Sequence, residues 1–408
     1  MAWIDRILRR KSAGQTALDR LIMRLEGTSS ASGVHVNERT AMRVAAVYAC
    51  VRVIAETIGS MPLNMYRRRA DGGRERAPEH PLQILLHDRP NSWQTAQEFR
   101  EMLTEHALLR GAGFAFINWR SRASNIVDEL IPLHPDRITI KQLPDMQLVY
   151  ELRREQGDTI TLLAEDVFTL RYRTSDGVQP QGVIEAGRDA IGVAYATQEY
   201  AGRFYRNDAT PGVILKHPQK LSAEAAGRLK DTWNSAYAGS GNTRRTALLE
   251  EGMSIERLSL SNDDSQFLQT REFQRSEIAG LFRVPPHMIG DLSRATFSNI
   301  EHQSLDFLAH CIGPWMARWE QSITRDLITA PNVYFPKLSA EGLLRGDIKS
   351  RYDAYAIGRN WGWLSVNDIR RLEDLNPIDE GDIYLEPMNM RPAGAPTELS
   401  DVAPPGAA

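Results

Sequence analysis

Apolar positions recur every three or four residues through Val44, Val47, Tyr48, Val51, Ile54, Ala55 and Ile58, the spacing that lays one stripe along a helix. Thr40 is placed to cap that helix, and Gly59 with Pro62 ends it. A short alternating run from Leu63 to Tyr66 predicts a strand, followed by a turn at Asp71-Gly72-Gly73. Thr95-Ala-Gln-Glu98 has the form of a capping box and opens a second helix, with Phe99, Met102, Leu103 and Leu109 on its apolar face and Gly111 as its stop. Beyond it the period turns from helical to alternating. Segments 113–119, 126–131, 137–141, 148–153, 159–162 and 167–172 are short, rich in β-branched and aromatic residues and separated by Pro, Asp and Gly, so they predict strands. Residues 40–182 therefore predict an α+β domain, preceded by a weakly patterned, loose arm over 1–39.

The pattern is helical without interruption from Val183 to Asn207, with balanced charges, and helical again from Asp263 to Phe282. Acidic residues open the second of these helices, as the helix dipole prefers, and Pro285-Pro286 stops it. A compact insert separates the two. It predicts a strand at Val213 to Lys216, a helix from Ser222 with Leu229 and Trp233 inward, a Gly239-Ser-Gly241 loop, and strands near 246–250 and 255–260. Ser298-Asn-Ile-Glu301 opens another helix, whose stripe of Leu305, Leu308, Ile312, Trp315, Trp319, Ile323 and Leu327 is crossed by Pro314 and so predicts a kink. Residues 340–376 predict short helices around Tyr352, Tyr355, Trp361 and Trp363, with the tryptophans assigned to packing. From Arg391 to the end Pro, Gly and Ala leave little to bury, which predicts disorder.

A length of 408 residues exceeds what one hydrophobic core serves. The 49 basic and 52 acidic residues give a net charge of −3, which argues against a surface devoted to gripping phosphates. Cys50 and Cys311 are the only cysteines and lie in helical patterns, so neither a disulfide framework nor a sulfur-rich metal site is expected. No apolar run is long enough to span a membrane, and the first residues lack a signal-peptide pattern. Candidate chemistry is sparse. No glycine-rich loop ends in Gly-Lys-Ser/Thr, no Gly-x-Ser-x-Gly elbow occurs, and no two histidines have zinc-site spacing; His302 and His310, eight apart, read as ordinary helix residues. Asp263 and Asp264 are explained by the helix start. No catalytic residue, metal or cofactor is expected. Arg67, Arg68, Arg69, Arg74 and Arg76 flank the first turn and suit either nucleic-acid contact or an edge that discourages strand pairing.

Several stretches carry a resemblance. The most specific are Gln266-Phe-Leu-Gln-Thr-Arg-Glu-Phe273, Phe282-Arg-Val-Pro-Pro-His-Met-Ile-Gly-Asp291 and Ala295-Thr-Phe-Ser-Asn-Ile-Glu-His-Gln-Ser304. Ala49 to Ala55, His80-Pro-Leu, Arg89-Pro-Asn91, Leu109 to Ala115, Leu133 to Arg137 and Leu343 to Lys349 support them. Over 40–390 the chain resembles the portal proteins of HK97-type tailed phages. It departs from them at Gly182-Val-Ile-Glu185, which lacks a Ser-Pro often found there, and at Arg283, where such sequences commonly have glycine.

The resemblance implies a portal-type α+β subunit. Its parts would be an arm (1–39), a wing (40–182), a first stem helix (183–207), a clip (208–262), a second stem helix (263–284), a tunnel loop (285–298), a long kinked wing helix (298–328), a crown (329–390) and a tail (391–408). It further implies a ring of about twelve copies at one capsid vertex of a virion or a domesticated gene transfer agent, assembled in the bacterial cytoplasm. Double-stranded DNA would pass through the ring without sequence-specific binding, and the implied partners are the terminase large subunit, the head-tail adaptor and the major capsid protein. Arg271 and Arg275 in the stem and Arg294, Thr296 and Phe297 in the tunnel loop would face the channel; Arg271 and Arg275 suit equally a pairing with Glu272 or Glu277. Lys216, Lys220, Arg228, Lys230, Arg244 and Arg245 would make the clip a docking surface for an acidic partner, or else a solvated face. The rival readings are a head-tail adaptor or minor head protein, and a DNA-processing enzyme.

Overall fold

The computed structural model describes residues 28–121, 126–155, 157–206, 214–216, 254–256, 263–292, 297–340, 348–373 and 375–385, with scattered positions between 221 and 232. Two compact units divide after Leu338. The first opens on a two-stranded ladder, β1 (Thr28–Ser29) with β2 (His35–Val36), then α1 (Glu38–Ala41) and α2 (Ala45–Ser60). β3 (Leu63–Arg68) and β4 (Arg74–Arg76) form the predicted hairpin, and α3 (Ala96–Arg110) follows behind the Thr95 capping box. The six predicted strands are present as β5 (Ala112–Ser121), β6 (Ile126–Leu133), β7 (Ile138–Gln142), β8 (Leu148–Arg153), β9 (Thr159–Leu163) and β10 (Val167–Arg171). They pair antiparallel into two three-stranded sheets, in the orders β10-β5-β6 and β7-β8-β9.

Gly111 shows why the first turn into these sheets needs glycine. It closes α3 in the left-handed region at φ 85°, and a Cβ there would stand 2.5 Å from the Gln181 backbone. Behind the sheets, α2 and α3 pack on each other, and α8 (Gly313–Leu327) lies on β10. Trp319 stacks on Phe168 with ring centroids 5.7 Å apart and donates its indole N–H to Thr104 Oγ1 at 3.1 Å; all three are buried. Arg100 is buried too. Its guanidinium donates to Leu86 O at 2.6 Å, Gly59 O at 2.7 Å and Met61 O at 3.1 Å, so the carbonyls that end α2 are satisfied by a side chain from α3. Burial lowers the Arg100 pKa to about 10.

Several expectations are corrected. The segment 28–39 is not loose: Ser30 is buried against Gly192, and Ala31 N–H donates to Asp189 Oδ1 at 2.9 Å. Residues 1–27 lie outside the described residues. Thr40 caps nothing as an N-cap; Asn37 caps α1, with Thr40 in the reciprocal position of that capping box, and α2 starts at Ala45 without a side-chain cap. The helix expected over 183–207 is broken into α4 (Val183–Ala186) and α5 (Arg188–Arg206) around Gly187, where a Cβ would come within 2.6 Å of Leu281 Cδ1. The predicted kink is a π-helical turn, Phe307–Ile312, between α7 (Phe297–Asp306) and α8. Pro314 has no N–H for the His310 carbonyl, and Arg283 Nη1 lies 3.5 Å from that oxygen.

The expected crown boundary at 329 also moves. Tyr334–Leu338 forms β13, which pairs with β3 to complete a third sheet in the order β13-β3-β4, so the second unit begins at Ser339. That unit contains α9 (Ile348–Asn360) and α10 (Val366–Leu372), capped by Ser365. Trp361 and Trp363, expected in packing, are 56% and 61% exposed. Among the described residues no helix is long and apolar enough to cross a membrane.

Candidate functional site

The paired helices α5 and α6 (Asp263–Phe282) are the centre of the candidate site. Gly187, just before the first, lies against Leu281 of the second and Thr197 against Gln274, so the helices run antiparallel. Ile191, Ala194 and Ala201 of α5 and Ile278 and Ala279 of α6 are buried, and Gln274 Nε2 donates to Thr197 Oγ1 across the pair at 3.1 Å. α2 also packs against α6. Apolar surface remains uncovered on both rods: Val193 is 40% and Phe273 69% exposed.

Arg271 is exposed and Arg275 half-buried, one turn apart on α6. Among the described residues neither makes an ion pair with Glu272 or Glu277. The end of α6 explains the departure noted at Arg283. Arg283 N–H donates to Gly280 O and Val284 N–H to Ala279 O, the hydrogen bonds of a helix stop that needs a left-handed residue. Arg283 adopts it at φ 58°, where glycine would sit without strain. Pro286–Ile289 then makes a 3-10 turn, closed by Gly290 at φ 81°, and His287 Nδ1 meets Gln303 Oε1 of α7 at 2.7 Å. The first half of the expected tunnel loop is thus tied at both ends.

Arg294 and Thr296 lie outside the described residues. Phe297 is the first residue of α7, one position before the predicted cap Ser298, and its side chain lies outside them as well. In the insert, Lys216 ends β11 (Ile214–Lys216), whose backbone pairs with β12 (Ser254–Glu256) in the register Lys216 to Ser254. Arg228 is exposed. Lys220, Lys230, Arg244 and Arg245, with the strand expected over 246–250, lie outside the described residues.

Other chemistry is limited. Among the described residues one trio, Glu38, His134 and Asp136, brings potential metal-ligand atoms within 4.8 Å of one another. Arg110 already bridges its carboxylates, at 2.9 Å from Glu38 and 2.7 Å from Asp136, which supplies the positive charge those acids need. Burial pushes the Cys50 and Cys311 thiols up to about 12, so both stay protonated and weakly nucleophilic at neutral pH. The sequence did not reveal Arg100, the exposed Phe273, or the contact of His287 with Gln303. At the end of α6 the signals in the sequence were the proline pair and Arg283 itself, standing where similar sequences commonly have glycine.

The model of the family described as phage portal protein matches residues 45–374. A "Probable portal protein" of Streptomyces phage phiC31 is 32% identical, over 91% of this chain and 84% of its own. The "Portal protein" of Enterobacteria phage HK97 is 30% identical, over 86% and 83%. Among solved structures, a subunit from the neck of a native gene transfer agent particle computed with C12 symmetry superposes with a TM-score of 0.59 at 22% identity, covering 84% of this chain and 94% of that one. At that identity the likeness speaks for the fold, while the family match spans most of the sequence and the two phage proteins are related along nearly their whole length. This chain belongs to the phage portal protein family.

Proposed function

We propose that copies of this chain close into a ring of about twelve at one capsid vertex of a phage or gene transfer agent, and that double-stranded DNA passes through the bore during packaging and ejection. The observation that carries this reading is the unfinished surface of the helix pair. Val193 on α5 and Phe273 on α6 leave apolar surface exposed on both helices, which a neighbouring copy in a ring would cover. Head-to-tail contacts that close make rings. The C12 symmetry in which the gene transfer agent neck was computed supports twelve as the count.

In this reading 28–182 with α7 and α8 is the wing, 183–207 with 263–284 the stem, 208–262 the clip, 285–298 the tunnel loop and the unit after Ser339 the crown. Arg271 and Arg275 line the bore with Arg294, Thr296 and Phe297 above them. Sparse unpaired arginines suit a passage that must let DNA slide, because each phosphate held adds affinity and therefore friction. The clip, with Lys216, Lys220, Arg228, Lys230, Arg244 and Arg245, docks the terminase large subunit and later the head-tail adaptor, and the wing meets the major capsid protein. The protein acts as a scaffold and gate with no catalytic step. Negative-stain imaging of the purified protein tests this: rings with a bore about as wide as a DNA duplex are expected, and monomers at every concentration contradict it.

A further inference from the structure

The β3-β4 hairpin carries five arginines, and the sheet sorts them into two sets. Arg67 pairs with Glu75 at 2.6 Å and Arg69 with Asp71 at 3.1 Å. Arg68, Arg74 and Arg76 share the opposite face, because Arg68 stands directly across from Arg74 and Arg76 across from Tyr66, which in turn faces Phe335 of β13. All three are exposed, and among the described residues no carboxylate lies within ion-pair distance of any of them. Two sit over aromatic rings: the Arg68 guanidinium lies 4.6 Å from the Phe335 ring centre and that of Arg74 5.3 Å from Tyr66, while the two rings stack at 5.7 Å. Arginine, ring, ring and arginine thus form one layered platform.

Like charges directly opposite on a ladder destabilise a hairpin. Protection of a sheet edge accounts for arginines on β4, which is the edge strand, but not for Arg68 on the central strand. A local rule broken in this way, with the guanidiniums ordered beforehand by cation–π contacts, marks a surface built for a polyanion. We infer that the Arg68/Arg74/Arg76 face binds the phosphate backbone of nucleic acid, without reading bases. Planar guanidinium forks match phosphate oxygens, and Tyr66 and Phe335, already stacked between the arginines, are not open for base stacking. The choice of nucleic acid over another polyanion rests on the proposed portal function. The surface is a hold, on a different element from the helix pair that lets DNA slide.

The test is fluorescence anisotropy of the assembled full-length protein with a short labelled duplex of arbitrary sequence, from about 50 to 200 mM salt. The R68Q/R74Q/R76Q variant is expected to bind at least about tenfold more weakly at the low end, with a log–log salt slope shallower by about 2 to 3. R67Q/R69Q, which removes arginines already paired on the other face, is expected to lose less than about threefold. Thermal unfolding of both variants confirms that they fold, and an R68K/R74K/R76K variant that keeps charge but loses the fork is expected to fall between. Equal losses in the two glutamine variants, or none in the triple, overturn the inference. Poly-glutamate displacing the duplex at equal charge concentration assigns the face to an acidic protein and overturns it too. Wild-type protein that binds DNA through this face yet forms no rings leaves the inference standing and counts against the portal reading alone.

Discussion

Two regions of the first unit handle burial in different ways. Around α2, α3 and α8 the large side chains are enclosed, with Trp319, Phe168, Leu103 and Ile54 all inside, and the buried Trp319 indole finds a partner at Thr104. Along α5 and α6 fewer side chains are buried, and Phe273 is left in solvent. The first region encloses its large side chains within one copy of the chain. The second has the look of half a packing problem, which is what a subunit of a closed ring presents before its neighbours arrive. Stability and assembly therefore reside in separate residues, and substitutions should separate them.

The largest effect is expected on the enclosed side. Arg100→Met strips three backbone carbonyls of their donor and should cost about 3–5 kcal/mol, read as a fall in denaturant midpoint, with any rings that still form keeping their size. A loss below about 1 kcal/mol would mean water reaches those carbonyls. Next in size is a pH effect at His106. Burial, with His134 and Arg110 close by, lowers its pKa to about 4 from the usual 6.5. The unfolded chain therefore takes up the proton first as pH falls. Stability is fully present above about pH 6.5 and is lost progressively down to about pH 4, by about 3 kcal/mol in all. His106→Gln should flatten that part of the stability–pH curve. The smallest effect is on the helix pair: Arg283→Gly relieves a left-handed arginine and should stabilise by about 0.5–1 kcal/mol in thermal unfolding, while a loss would show that the reach of Arg283 to His310 O matters more.

Much of the enclosed region was legible in the sequence because its signals are local. Thr95 and Glu98 three apart, Gly111 at the stop and short alternating runs between turn residues each specify one element, and β5 through β10 lie within a few residues of where the pattern predicts them. What stayed hidden depends on contacts far along the chain. β13 pairs with a strand some 270 residues earlier, and nothing around Tyr334 announces that partner. The break at Gly187 follows from Leu281 pressing on it, whereas periodicity alone continues the helix through. Pro314 foretold an irregular helix, but its form as a π-turn starting at Phe307 depends on how the preceding turn rehouses its carbonyls. Trp361 and Trp363 were misjudged because tryptophan is usually buried. In the candidate site, Arg271 and Arg275 could be placed on one face from spacing alone, while the insert's lysines and arginines could only be named.

The most direct test of the division of labour is to measure mass in solution for the wild type and for Phe273→Glu, alongside thermal unfolding of each. The account predicts large closed assemblies for the wild type, smaller species for the variant at the same concentration, and little change in unfolding of the α+β core. Variant assemblies of unchanged mass would show that the open face of α6 takes no part in joining subunits.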